Sequence, residues 1–122
     1  VSCHLPLTKH TLGFFDSRQF SQFKEDAYFI NTARGGIVDE MALNEFLGPG
    51  KIKGAALDVY NKEPYSPEKD QKDLRVWNRV VLTPHIASDT HEANLRMAKV
   101  ALDNVYNYFN GDISDIKRVI ES

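Results

Sequence analysis

The amino-acid sequence predicts an α/β fold in which helices cover a parallel sheet. Three short apolar runs, at residues 28–33, 52–59 and 80–83, lack the polar alternation of a half-exposed strand. Such runs are typical of strands that are buried in a parallel sheet. Segments that carry helix-capping residues lie between and after the runs. This alternation of strand and helix favours a parallel arrangement.

The first elements follow from the residues at their ends. Residues 1–3 are short and apolar, and we interpret them as the end of a strand. Asp16 is predicted to cap a first helix that ends at about residue 23 or 24. Phe15 and Phe20 have the spacing of a hydrophobic staple around that helix start.

The middle of the chain alternates between helix and loop. Asp39 is predicted to cap a second helix, which would end at the Gly and Pro residues 48–50. Residues 61–78 are polar and contain a dense charge cluster, so we expect a surface loop there. Within it, residues 74–77 are predicted to form one helical turn.

A long final helix is predicted after the last apolar run. Asp89 and Glu92 have the spacing of a capping box, and Gly111 is placed to end the helix. The apolar positions between them recur every three or four residues, which is the pattern of one helical face. They are Leu95, Ala98, Leu102, Val105 and Phe109.

Composition excludes several classes of protein. With 42% hydrophobic and 26% charged residues, the 122-residue chain is typical of a globular domain. Fifteen Lys and Arg against seventeen Asp and Glu leave no basic excess for a nucleic-acid partner. No apolar run approaches the ~20 residues that span a membrane.

The lone Cys3 cannot form an internal disulfide and indicates a reducing, cytoplasmic setting. No His or Cys spacing indicates a metal site.

Three residues that can carry chemistry follow three of the predicted strands. Arg34 comes directly after the run 28–33, Glu63 follows the run 52–59 and His85 follows Pro84. Because the carboxyl ends of parallel strands share one edge of the sheet, where ligands bind, their side chains can meet there. From the residues alone, solvated surface groups are an alternative interpretation of all three.

Each of these residue types suits one part of an acid–base reaction. Arg presents a planar fork of donors that matches a carboxylate. His exchanges protons near neutral pH, and a Glu beside it stabilises the imidazolium and fixes its orientation. Together they suit a substrate carboxylate that is held while an adjacent carbonyl or hydroxyl exchanges a proton.

Four motifs resemble those of the D-isomer-specific 2-hydroxyacid dehydrogenases. Residues 28–40 read YFINTARGGIVDE, residues 56–64 read ALDVYNKEP and residues 82–88 read LTPHIAS. The segment 4–8, HLPLT, with Thr11, is similar to the family's turn after an earlier strand. The four motifs occur in the family's order. The resemblance implies the second half of a Rossmann-type, doubly wound parallel sheet.

The resemblance implies a catalytic role for each of the three residues. Arg34 would bind the substrate carboxylate and polarise its carbonyl. His85 would protonate the developing alkoxide during reduction or deprotonate the hydroxyl during oxidation. Glu63 would hold His85. The hydride would pass between a nicotinamide cofactor and C2 of a 2-hydroxyacid or 2-oxoacid, which is chemistry that the cofactor supplies.

The resemblance also implies a binding site for NAD or NADP, with NAD favoured. For Asp58, an ordinary strand-end cap is the alternative role. The residues at matching positions are Leu5, Pro6, Thr32, Ala33, Arg34, Asp58, His85, Ala87 and Ser88.

The phosphate-binding glycine motif of a complete dinucleotide-binding domain does not occur in these 122 residues. By the resemblance, residues 1–88 are the C-terminal half of that domain, and residues 89–122 return to a substrate domain. We therefore expect that the chain is a C-terminal portion of a longer protein and that it is inactive alone. The resemblance also favours a homodimer for the full-length protein.

A second function remains open from the sequence. Transcriptional corepressors that sense dinucleotides resemble the same family and can retain the same three residues, so a non-catalytic binding protein is the alternative to an enzyme. A non-catalytic fragment is the third interpretation.

Overall fold

The structure is a computed structural model that describes residues 1–67, 69, 71–112 and 114. The chain divides into two compact units, Val1–His85 and Ile86–Ser122. The first unit carries the sheet and the second carries a long helix.

Four strands form one parallel sheet, in the order in which they occur in the chain. The register aligns Cys3 with Asn31, Asn31 with Leu57 and Leu57 with Leu82, so the last residues of the four strands lie side by side. This confirms the predicted α/β fold with a common carboxyl edge. The strands are β1 (Ser2–Cys3), β2 (Tyr28–Asn31), β3 (Gly54–Leu57) and β4 (Val80–Leu82).

All three strands that the apolar runs predict are shorter than those runs. Ile52 and Val59 are buried but lie outside β3, because burial does not require a residue to join the hydrogen-bonded ladder. β2 ends at Asn31 because the Ala33 amide donates to the Asn31 side chain, at 3.0 Å, and not to a neighbouring strand.

Two short helices follow the predicted caps. Asp16 accepts hydrogen bonds from the first amides of α1 (Ser17–Phe20), and Asp39 does the same for α2 (Glu40–Leu47). The first helix is shorter than predicted. Beyond Ser21, the amides of Gln22 and Phe23 bond to carbonyls three residues back, and the Ser21 hydroxyl donates to a carbonyl of the helix.

The core of the first unit lies on one face of the sheet. Phe15 and Phe20 pack against Phe29 of β2, with ring centroids 4.8 and 5.3 Å apart, and the residues of α2 join the same cluster. The opposite face is open, and the side chains of Tyr28 and Val81 there are 52% and 61% exposed. Both short helices of the first unit join this one core.

The loop between β3 and β4 contains the predicted turn, a 3₁₀ turn over Leu74–Val76. Leu74 is fully buried. The next residue after the turn, Trp77, donates from Nε1 to the Asn44 side chain, at 2.9 Å. The loop is thus anchored on α2.

The second unit contains α3 (His91–Asn110), which ends at Gly111 in the left-handed region with φ 78°. Its cap is Thr90, whose hydroxyl accepts from the Ala93 amide at 3.1 Å. The prediction that Asp89 caps this helix is wrong, because the adjacent Thr90 takes that position. No residue of α3 is buried. Among the described residues, no helix is long and apolar enough to cross a membrane.

Candidate active site

The carboxyl edge of the sheet collects most of the residues that the sequence singles out. Each strand contributes through the loop that follows it, because the four strands are parallel and end in register. Leu5 and Pro6 follow β1; Thr32, Ala33 and Arg34 follow β2; Asp58 and Glu63 follow β3; His85 follows β4.

Glu63 and His85 form a hydrogen-bonded pair. The Nδ1 atom of His85 lies 2.8 Å from Oε2 of Glu63, and since a carboxylate only accepts, Nδ1 carries the proton. The other carboxyl oxygen of Glu63 accepts from the Tyr60 amide, at 3.2 Å. The bond from His85, and then that from the Tyr60 amide, hold the pKa of Glu63 below its ordinary value. The imidazole therefore faces an ionised partner and keeps Nε2 for another molecule.

The backbone around His85 is constrained. His85 has φ 55°, in the left-handed region that non-glycine residues rarely adopt. Two residues earlier, the Thr83 carbonyl accepts from the Tyr60 hydroxyl at 2.6 Å, and the same hydroxyl lies 3.0 Å from the Leu57 carbonyl. Burial, and then the charge of Asp58, raise the pKa of Tyr60, so its hydroxyl stays protonated and can donate. Tyr60 thereby ties the end of β4 to the end of β3.

Arg34 projects from a braced turn after β2. The buried Asn31 side chain donates to the Arg34 carbonyl and accepts from the Ala33 amide, both at 3.0 Å. The Arg34 side chain is exposed, and its Nη1 donates to the Ala33 carbonyl at 2.7 Å. A guanidinium on an exposed side chain can meet a carboxylate.

Gly35 brings the Arg34 loop against the loop that carries Glu63. A Cβ atom at Gly35 would lie 2.0 Å from both the carbonyl carbon and the carbonyl oxygen of Tyr60. Only glycine, which has no Cβ atom, allows the two backbones to come this close. The loops after β2 and β3 are consequently in backbone contact. This contact fixes the position of the Arg34 backbone relative to the loop that carries Glu63.

Asp58 joins the ends of three strands. Its amide donates to the Asn31 carbonyl at 3.0 Å, and its carboxylate accepts from the Thr83 hydroxyl. The bond from Thr83 holds a half-buried carboxylate at the carboxyl edge. A carboxylate at this place can accept from an amide N–H, so the residues present fit the carboxamide of a nicotinamide.

A cleft of about 340 Å³ opens beside the Glu63–His85 pair. Tyr65, Leu82, Pro84 and Arg75 also line it. Arg75 is paired with Asp73 at 2.6 Å, so its charge is balanced within the loop. The cleft leaves the pair accessible, and both side chains of the pair are about 40% exposed.

For four further predicted site residues, contact with a cofactor stays a prediction. Ala87 and Ser88 lie in the second unit, so their contact with a cofactor stays a prediction. Leu5 and Pro6 follow β1, where the Pro6 carbonyl accepts from the Thr11 hydroxyl at 2.6 Å, and both are exposed. Among the described residues, no three His, Cys, Asp or Glu side chains are grouped as metal ligands.

Sequence reasoning missed four residues that shape the site. Asn31, Tyr60 and Thr83 hold the strand ends, and Gly35 allows the loop contact. One signal was available, since Asn31 is a polar residue inside an apolar run and a buried Asn needs partners. The contacts of the other three depend on residues that are distant in sequence.

The fold and the edge residues define an α/β domain of the Rossmann type, with a guanidinium, a Glu-paired His and a carboxylate at the carboxyl edge of its sheet. Residues 1–87 match the family described as D-isomer specific 2-hydroxyacid dehydrogenase, NAD binding domain, and the chain belongs to this family.

Two curated relatives show how far the similarity extends. A glyoxylate/hydroxypyruvate reductase B from Cronobacter sakazakii is 47% identical over 110 residues, which is 90% of this chain and 33% of that protein. A D-3-phosphoglycerate dehydrogenase from Archaeoglobus fulgidus is 43% identical over 111 residues, which is 91% of this chain and 20% of that protein. The chain thus spans a third or less of these relatives.

Solved structures share the fold. A D-isomer specific 2-hydroxyacid dehydrogenase from Xanthobacter autotrophicus Py2, in complex with NADPH and MES, has a TM-score of 0.77 at 34% identity, over 91% of this chain and 44% of that chain. A D-lactate dehydrogenase with NAD⁺ from Lactobacillus jensenii has a TM-score of 0.79 at 32% identity, over 99% of this chain and 39% of that chain.

Proposed function

We propose that the full-length protein is an oxidoreductase that transfers a hydride between a nicotinamide cofactor and a 2-hydroxyacid or 2-oxoacid. The observation that carries this proposal is the Glu63–His85 hydrogen bond, 2.8 Å long, at the carboxyl edge of the sheet. A structural surface pair would not need an accessible ring nitrogen beside a cleft, whereas a general acid does.

His85 is the general acid–base group in this proposal. With Nδ1 bonded to Glu63, Nε2 is the ring atom that gives a proton to the oxygen at C2 during reduction and takes it back during oxidation. Glu63 stabilises the imidazolium that carries this proton. Its lowered pKa keeps the carboxylate ionised when His85 is charged.

Arg34 is the anchor for the substrate in this proposal. Its exposed guanidinium matches a carboxylate in two parallel hydrogen bonds, and its positive charge polarises the adjacent carbonyl. The Asn31 brace and the Gly35 contact support this role, because they hold the start of the Arg34 side chain beside the Glu63 loop.

The cofactor would lie along the same edge and, when bound, supplies the hydride. Asp58 would accept from its carboxamide, and the backbone of Thr32 and Ala33 would complete that contact. Leu5 and Pro6 would line the cofactor, and Ala87 and Ser88 would close the pocket. NAD is favoured over NADP; solved relatives are described with NADPH and with NAD⁺.

Glyoxylate and hydroxypyruvate are the substrates to test first, because relatives with 42–47% identity are named for them. The domain assignment belongs to the same proposal: residues 1–88 contribute to the cofactor domain and residues 89–122 return to the substrate domain. A homodimer, a cytoplasmic location and inactivity of the 122-residue chain alone stay predictions.

The test is oxidation of NADH and of NADPH by the full-length protein with glyoxylate, hydroxypyruvate and pyruvate. We expect turnover on at least one of the three, with a rate within the common range of about 1–10³ s⁻¹. Tight dinucleotide binding without turnover on any 2-oxoacid would contradict the proposal and favour a dinucleotide-sensing protein.

A further inference from the structure

Glu40 is a buried carboxyl group that the proposed reaction does not use. It is the first residue of α2 and only 7% exposed. Oε1 accepts from the backbone amide of Asn61 at 2.8 Å, and Oε2 accepts from the side-chain amide of Gln71 at 3.4 Å. Charged side chains are rarely buried to this extent unless their partners hold a defined geometry.

Asn61, in the loop after β3, makes a second hydrogen bond to the segment around the start of α2. Its side-chain amide donates to the Val38 carbonyl at 3.1 Å, while its backbone amide donates to Glu40. The loop after β3 is therefore joined to the start of α2 through both the backbone amide and the side-chain amide of Asn61. The close approach of Gly35 to the Tyr60 carbonyl lies beside these bonds.

The bond to Glu40 is one peptide away from the catalytic pair. Two successive backbone amides each donate to a carboxylate: that of Tyr60 to Glu63, at 3.2 Å, and that of Asn61 to Glu40. A shift of the Asn61 peptide would therefore move the donor that orients Glu63, and with it the partner of His85.

We propose that Glu40 is a positioning residue that, through Asn61, sets where the Glu63–His85 pair lies relative to Arg34. Glu40 touches no reacting atom in this account. It acts by holding the loop that carries the acid–base pair against the loop that carries the substrate anchor. The inference rests on the proposed function, because the geometry matters only if Arg34 and His85 act on one substrate.

The experiment compares Glu40→Ala and Glu40→Gln in the full-length protein, with Glu45→Ala as the matched control. Glu45 lies on the same helix, and its side chain is exposed. The assay is NADH oxidation with the best 2-oxoacid, with kcat and the KM for NADH measured separately. Thermal unfolding of every variant shows whether it is folded.

We expect Glu40→Ala to lower kcat about 10- to 100-fold with little change in the KM for NADH, since a misplacement of ~1 Å can cost roughly 10²-fold. Gln keeps an oxygen that accepts from the Asn61 amide, so Glu40→Gln should recover most of the lost kcat. Glu45→Ala should match the wild type. A folded Glu40→Ala variant with wild-type kcat, or no recovery with Gln, would overturn the inference.

A second variant covers the case in which Glu40→Ala does not fold. Glu40→Asp keeps a carboxylate but shortens the side chain by one methylene, which draws its oxygens away from the Asn61 amide. We expect a smaller fall in kcat, again with little change in the KM for NADH. A folded Glu40→Asp variant with wild-type kcat would then overturn the inference.

Amide hydrogen exchange separates failure of the positioning role from failure of the proposed function. If the wild type has no turnover, the function proposal fails, but exchange at the Asn61 amide can still be measured. We expect this amide to be protected in the wild type and in Glu40→Gln and to exchange faster in Glu40→Ala. Equal exchange in all three would overturn the proposed positioning.

Discussion

At the scale of single residues, the Glu63–His85 pair depends on contacts between residues that are distant in the sequence. Glu63 and His85 are 22 positions apart, and they meet because β3 and β4 are neighbours that end in register. The pair also uses the Tyr60 amide, so Glu63 is fixed at both carboxyl oxygens. Its acidity is a direct readout of this arrangement.

We predict that Glu63 titrates below 4.5, its ordinary pKa, in the folded protein. Because the folded pKa is lowered, the stabilisation from this group is fully present above that value and is lost as the pH falls through the folded pKa. The measurement is a ¹³C NMR titration of the side-chain carboxyl, with Glu63→Gln to assign the signal. A midpoint at or above 4.5 would show that the pair does not form.

At the scale of elements, the loops after β2 and β3 act as one assembly. Gly35 lies against the backbone of Tyr60. The Asn31 side chain donates to the Arg34 carbonyl. The backbone amide of Asn61 donates to Glu40, the first residue of α2. The two loops are therefore expected to respond together to a change in either of them.

We predict that Gly35→Ala is far more damaging than Gly36→Ala. The added Cβ at Gly35 would meet the Tyr60 backbone at 2.0 Å, which forces the loops apart, whereas at Gly36 it would meet the Leu7 side chain at 3.3 Å. Overpacking of this kind costs roughly 1–3 kcal/mol or more.

The measurement is thermal unfolding of both variants in the full-length protein, together with turnover. Gly35→Ala should unfold at a lower temperature and lose activity, and Gly36→Ala should stay close to the wild type. Similar behaviour of the two variants would mean that the close approach at Gly35 does not hold the loops.

The starts of α1 and α2 were predictable from the sequence, because helix capping depends on residues that are close together along the chain. Asp16 and Asp39 were identified as caps because a capping side chain bonds only to amides two or three residues ahead. At α3 two capping residues adjoin, and local pattern does not decide between Asp89 and Thr90.

What the sequence missed depends on long-range contacts. The apolar run around β3 overstates the strand, because Ile52 and Val59 are buried without ladder bonds. The contact of Gly35 with Tyr60 joins residues whose meeting no local pattern encodes.

At the scale of the whole molecule, the four parallel strands act as a frame that brings loops to one edge. Every strand contributes a segment there, and the candidate site is built from the loops after β2, β3 and β4. The Arg34, Glu63 and His85 positions were accessible from the sequence because strand ends could be located, although their mutual contacts could not. Their roles in hydride transfer are the central claim.

The most direct test of that claim is to measure dinucleotide binding and turnover together in the full-length protein and in its His85→Ala variant, with His10→Ala, an exposed His in another loop, as the control. A general acid contributes about 10²–10⁴-fold, so His85→Ala should lose turnover on the 2-oxoacid by that factor while NADH binding changes little. His10→Ala should match the wild type. Turnover that survives in His85→Ala would contradict the account.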